Sequence, residues 1–336
     1  MYHLRIVAPP GRSQDTLALL ETAESVCNVI FLQGAAKEPA GDVILADVAR
    51  EDASVIVADL RELRLEEEGS ITLQSIDTAL SKQAQQAERA ARGSPSDAVI
   101  WGQLEFQTSE EAQLSASFLA FIVLATLIAC VGLLLDSPIL IVGAMVVGPE
   151  FGPIAGFCVA LVERERPLAL RSLLALAVGF PTAIAVTFAA GLIFKATGLA
   201  PGSFSFDHST FAHTISNPDF FAFFVAFAAG VAGMLSLTTA KSGALIGVLI
   251  SVTTIPSAAA VALSAAYGDG GALAGSAAQL AVNLTMILTA GVLTLVVQHH
   301  FYLRRRARHL NTESRRAAGL PVGRPSRPAP PEREPV

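Results

Sequence analysis

The sequence predicts an α-helical polytopic membrane protein carrying a small α+β domain at its N-terminal end. Three observations carry that prediction. Six apolar stretches each approach the ~20 residues that a helix needs to cross a hydrocarbon core, charge divides into three blocks, and residues 4–75 alternate between strand and helix patterns.

The charge division sets the boundaries. Residues 1–113 hold 9 Lys/Arg against 19 Asp/Glu, residues 114–300 hold 5 against 7, and residues 301–336 hold 9 against 3. An acidic domain, a membrane block and a basic tail follow. With 52% apolar residues and a mean hydropathy of +0.53, the chain is too apolar for an ordinary soluble protein, and no nucleic-acid partner is expected. The opening LRIVAP is too short for a signal-peptide core and reads as a strand. Cys27, Cys130 and Cys158 are scattered without disulfide or metal spacing, which fits a reducing compartment and calls for no metal or cofactor.

Taken in order, residues 1–75 read as βαββαβ: LRIVAP, the helix SQDTLALLETAESV, the strands CNVIFLQGA and DVILADV, the helix DASVIVADLRELRL, and SITLQSID. This is the pattern of a ferredoxin-like or ACT-like sandwich. Ser13 and Asp52 stand where N-caps are expected. Such a domain is either a regulatory or pairing module for a cytosolic ligand or a scaffold without one. Residues 76–113 form a helical and interfacial linker, with Trp101 and Phe106 placed at the membrane surface.

The six spans are expected at 114–135, 139–162, 168–194, 220–239, 243–266 and 273–298. Arg164, Arg166, Arg171, Lys241 and the Arg304–Arg306 cluster fall on one side, which by the positive-inside rule puts both termini in the cytoplasm and the protein in a bacterial inner membrane. The tail 301–336 reads as topogenic, drawn to anionic headgroups, and disordered in its Pro-rich end.

Glu150 is the central anomaly. It stands in the string IVGAMVVGPEFGPIAGF, and a charge at bilayer depth costs roughly 2.5–3.5 kcal/mol on insertion scales, so it marks a site by default. Pro149 and Pro153 flank it, and each removes an N–H and frees a carbonyl one turn earlier, at Met145 and Pro149, so a broken helix with a buried acid is expected. The fifth span, ALIGVLISVTTIPSAAAVALSAA, repeats the layout. Gly247 matches Gly143, Pro256 falls within one place of Pro153, and Val-Ala-Leu follows at 159–161 and 261–263. Three spans per unit then force the two units into opposite orientation, the 3+3 inverted repeat of many transporters.

That symmetry selects the candidate solute or ion site: Gly148, Pro149, Glu150, Gly152 and Pro153 from the second span, Ser251, Thr253, Thr254, Pro256 and Ser257 from the fifth, and Asn283, with Gln279 and Thr285 nearby, from the sixth. A carboxylate beside loose carbonyls favours a cation or proton, whereas two helix N-termini favour an anion, and the sequence leaves open which ends meet. The bland alternatives stand beside these. Glu150 could be a hydrogen-bonded structural acid, the prolines simple kinks, Asn283 interhelical glue, and Gly148, Gly152 and Gly156 a close-packing stripe. Asp207, His208 and His213 have no specific metal spacing.

The string GAMVVGPEFGPIAG, preceded by an Asp-Ser-Pro turn, resembles the signature of a bacterial membrane family catalogued as domain of unknown function 389. The resemblance covers most of the chain and implies the membrane block at about 114–300, a βαββαβ region before it, a proline pair in the fifth span and an Asn in the sixth. Gly247 and Asn283 match; the proline pair is reduced here to Pro256-Ser257. The family has no established activity, so the resemblance implies a fold and not a function.

The residues themselves favour a secondary transporter or channel-like permease for a small solute or ion, with Glu150 as coupling or ion-binding carboxylate. The alternative is a membrane-anchored sensor with a ligand-binding ACT-like domain. An enzyme is not expected, because no base or nucleophile pairs with Glu150 in the apolar block. Lipid is the expected surrounding, and small-residue faces favour a homo-oligomer.

Overall fold

A computed structural model describes residues 1–76, 78–91, 99–200, 204, 206, 209–239 and 253–323. They form two compact units, Met1–Trp101 with His300–Val336, and Gly102–His299.

In the first unit, β1 (Tyr2–Ala8), β2 (Val26–Lys37), β3 (Ala40–Val48) and β4 (Ser70–Ser75) make one antiparallel sheet in the order β2-β3-β1-β4. Period-2 alternation builds its inner face: Leu4 and Ile6 of β1 pair in register with Ala46 and Ile44 of β3, and all four are fully buried. Against that face pack α1 (Ser13–Thr22) and α2 (Arg50–Glu62), through Leu19, Leu20, Ile56 and Leu60. A short α3 (Leu65–Glu68) that the sequence reading did not separate from α2 turns the chain into β4, and α4 (Lys82–Ala90) follows. The expected caps are corrected. Arg12 and Ala49 occupy the N-cap positions, and Asp52 lies inside the first turn of α2. Ser13 instead donates its hydroxyl to Asp42 on β3 at 2.5 Å, because the buried carboxylate is a stronger acceptor than it could be a cap.

The second unit is helical. After α5 (Trp101–Glu111) come α6 (Ala116–Leu134), α7 (Pro138–Val147), α8 (Phe151–Glu163), α9 (Arg166–Ala196), α10 (Thr210–Ser216), α11 (Phe220–Thr238), α12 (Thr254–Tyr267) and α13 (Gly270–His309). By length and composition α6, α9, α11 and α13 can each cross a membrane, and α7 with α8, bent by 48°, make a fifth span if counted together. These apolar helices make the chain a membrane protein. The predicted fifth stretch, 243–266, falls mostly outside the described residues; its described part, α12, has 14 residues and is too short to cross alone.

Contacts at the two ends of this unit fix its helix directions. At one end Glu163 pairs with His299 at 3.2 Å and Gln298 donates to Thr238 at 2.8 Å, bringing together the C-terminal ends of α8 and α11. At the other, Asp136 accepts from Ser209 at 2.7 Å, and Lys195 Nζ donates to the Ala266 carbonyl at 3.4 Å. So α8 and α12 run to opposite ends.

The linker reading of residues 99–112 changes as well. Thr108 and Ala112 of this segment are fully buried, and a β-carbon on Gly156 would meet Ala112 Cβ at 3.1 Å. α5 is therefore packed on α8, with Phe106 left exposed.

The tail is corrected for its described part. Residues 300–323 belong to the first unit and include α14 (Glu313–Ala317). Arg315, fully buried, pairs with Asp59 and reaches Glu62 at 2.8 Å; His309 lies 2.7 Å from Asp59, and Arg306 pairs with both acids. Arg306 and Arg315 of this segment thus pair with the acidic face of α2, while Arg304, Arg308 and Arg316 stay in solvent.

Candidate functional site

Local sequence explains why the chain breaks at Glu150. α7 stops at Val147, Gly148 returns its N–H to Ala144, and Pro149 has no N–H to give to Met145. α8 restarts with Glu150 as N-cap and Pro153 as third residue, where an N–H has no intrahelical partner in any case. α12 starts in the same way, with Thr253 as N-cap and Pro256 third. The interruption expected at Pro149 is the 48° break between α7 and α8, and Pro153 and Pro256 stand at the starts of new helices. Val252, the residue one turn before Pro256, is outside the described residues.

The ends that meet are two N-termini. Thr254 Oγ1 donates to Glu150 Oε1 at 2.6 Å, joining the first residue of α12 to the cap of α8. Each N-terminus carries a partial charge of roughly +0.5, which offsets the carboxylate and lets it stand without a basic partner. A second chain of bonds runs from α13: Gln279 Nε2 donates to Asn283 Oδ1 at 3.1 Å, and Asn283 Nδ2 donates to Thr253 Oγ1 at 2.8 Å. Ser257, fully buried, donates to the Thr253 carbonyl at 2.6 Å. Three buried oxygens beside or along this network, Glu150 Oε2, Gln279 Oε1 and Ser276 Oγ, have no hydrogen-bond partner among the described residues.

Glu150, Thr253, Thr254, Ser257 and Asn283 therefore come together, with Pro153 and Pro256 as the helix starts that hold them. Gly148 adjoins them, since a β-carbon there would collide with Glu150 Oε2 and approach Ile255 Cγ1 to 2.7 Å. Gly152 looks the other way: its β-carbon would meet Glu111 Cβ at 2.8 Å, a packing position. Ser251 is outside the described residues, as are Asp207 and His208. Sequence reasoning missed the cleft of about 400 Å³ that reaches Gly148, Pro149, Phe151 and Gly152 from the side of Glu110 and Glu111. An acidic pair four residues before an apolar span was its available signal.

Fold and site together define a polytopic helical membrane protein organised around a broken helix with a buried acid. The sequence model of the family described as domain of unknown function (DUF389) matches residues 145–289, a stretch that holds the break, α12 and Asn283. An uncharacterised protein of the archaeon Methanocaldococcus jannaschii is 26% identical over 148 residues, covering 44% of this chain. The chain spans 43% of the length of that relative. No solved structure matches the chain.

Proposed function

We propose that the chain is a secondary transporter or channel-like permease for a small solute or ion, with Glu150 as its coupling or ion-binding carboxylate. One observation carries the reading: two short helices begin at the Glu150–Thr254 hydrogen bond and run to opposite ends of the helical unit. Each is preceded by a 19-residue helix, α6 or α11, closes on a left-handed residue, Arg164 or Gly268, and leads into a long helix, α9 or α13. Two units of three spans inserted in opposite senses account for this correspondence, and broken helices at matching places are the mark of a transporter's central site. The reading includes six spans, both termini in the cytoplasm and residence in a bacterial inner membrane. It assigns no catalysis, since the groups bonded around Glu150 are hydroxyls and amides.

Flux into proteoliposomes containing wild-type protein or Glu150→Gln tests it. Loss of flux in the variant, with folding retained, is the expected result; equal flux removes the assigned role.

The second reading, a membrane-anchored sensor, draws on the first unit. The βαββαβ order with strand order β2-β3-β1-β4 fits a ferredoxin-like sandwich, and the residues after the last span dock on its α2 through Arg306, His309 and Arg315. A cytosolic ligand that stabilises the full chain, with no flux in any gradient, would favour this reading.

A further inference from the structure

The cleft beside the helix break has a definite charge. Its walls include Glu110, Glu111 and Ser115 on one side and Gly148, Pro149 and Gly152 on the other, and among the described residues lining it there is no Lys, Arg or His. Two helix N-termini also face it, at Ser115 and Phe151. They contribute roughly +0.5 each, and the amide of Phe118 is already met by the Ser115 hydroxyl at 3.1 Å. Two carboxylates outweigh them, so the rim is negative by about one charge before Glu150 is counted. An anion is repelled there, and a cation is concentrated.

Behind the rim stands a buried acceptor that needs a partner. Glu150 is 4% exposed; its Oε1 takes the Thr254 hydroxyl, and its Oε2 has no hydrogen-bond partner among the described residues. Oε2 turns to Gly148, a residue of the cleft wall, so closely that a β-carbon there would strike it. A single glycine thus separates an open acidic cleft from an unmet carboxylate oxygen. With each group counted once, Glu110, Glu111 and Glu150 outweigh the N-termini of α6, α8 and α12 by about 1.5 charges, so the two helix starts at Glu150 do not turn the place over to an anion and a monovalent cation meets the surplus.

Building on the permease reading, we propose that the cleft between Glu110, Glu111 and Gly148 is the mouth through which an alkali-metal cation reaches Oε2 of Glu150. Gly148 is its threshold, and the missing side chain keeps the passage clear. Glu110 and Glu111 raise the local concentration of the ion without holding it.

Purified full-length protein is unfolded thermally in sodium, potassium or N-methyl-D-glucamine chloride at matched ionic strength and pH. One alkali cation raises Tm by about 2–4 °C over the organic cation, the size expected for a ligand held in several-fold excess of its Kd. Glu150→Gln abolishes the rise, and Glu110→Gln/Glu111→Gln, at exposed positions, shifts it several-fold towards higher cation concentration. Equal Tm in all three salts overturns the proposal, as does a rise that survives Glu150→Gln. Should Glu150→Gln not fold, the exposed double substitution decides: an unmoved concentration dependence overturns the proposal. Flux into proteoliposomes separates this inference from the reading beneath it. Solute flux indifferent to alkali cations sinks the cation while the permease stands, whereas a cation-dependent Tm without any flux sinks the permease and leaves the cation site.

Discussion

The hydroxyl of Thr254 reaches the carboxylate of Glu150 across 2.6 Å and 104 residues of chain, and that bond ties the starts of two helices together. Thr254→Val keeps the shape and removes the donor. Both Glu150 oxygens then lie buried without a partner, which costs about 1–3 kcal/mol. Thermal unfolding of the full chain should show the loss, and Thr254→Ser should restore most of it.

Two glycines of one helical segment should respond with opposite sign. Gly148→Ala drives a methyl into Glu150 Oε2 and Ile255, an overpacking of about 1–3 kcal/mol. Gly143, within α7, has open space around the same position, so Gly143→Ala gains helix propensity of up to ~1 kcal/mol. Parallel Tm measurements on the two variants check the contrast, and a Gly148→Ala protein as stable as wild type would be evidence against the packing described.

Arg315→Met should loosen the segment that follows the last span. It strips the fully buried Asp59 and its neighbour Glu62 of their most enclosed partner, and removing one member of a buried pair costs about 3–5 kcal/mol. Arg306 and His309 still face Asp59, so the lower end of that range applies. Hydrogen exchange over residues 304–320 of the full chain should quicken. The exposed Arg308, changed to Ala, should leave it unaltered.

Acid sensitivity in the first unit has a named source. The Ser13 hydroxyl and the Gly34 amide, at 2.5 and 2.7 Å, hold the Asp42 carboxyl below its ordinary range. A lowered folded-state value gives stability that is present above the unfolded carboxylate range and is lost as pH falls through the folded value. Ser13→Ala should lower stability at neutral pH and flatten its decline in acid, as read by denaturant melts across that range.

Much of this architecture was legible in the sequence. Apolar run length located the long helices, strand alternation ordered the sheet, and the cost of a charge in an apolar run singled out Glu150. Other features were not, for physical reasons. Proline chemistry says that a helix stops but not which fragment ends face each other, so the meeting of two N-termini at Glu150 and Thr254 needed coordinates. Arg315 sits in a polar, proline-bounded segment whose composition resembles a solvated tail; only its long-range partners Asp59 and Glu62 make it interior. The buried face of α5 and the residue after it stayed hidden because Thr108 and Ala112 are small and meet Gly156 of α8, a complementarity invisible to hydropathy.

Pro153 and Pro256 each stand third in their helices, and Pro149 lies just before the first of those starts. Rewinding α7 into α8 would require amide hydrogens at positions 149 and 153, and covalent chemistry withholds both. The gap beside Glu150 is therefore written into the backbone for good. Closing that fissure would cost about 3 kcal/mol or more for each proline, so tilting intact rods around it is the cheaper way for these helices to move.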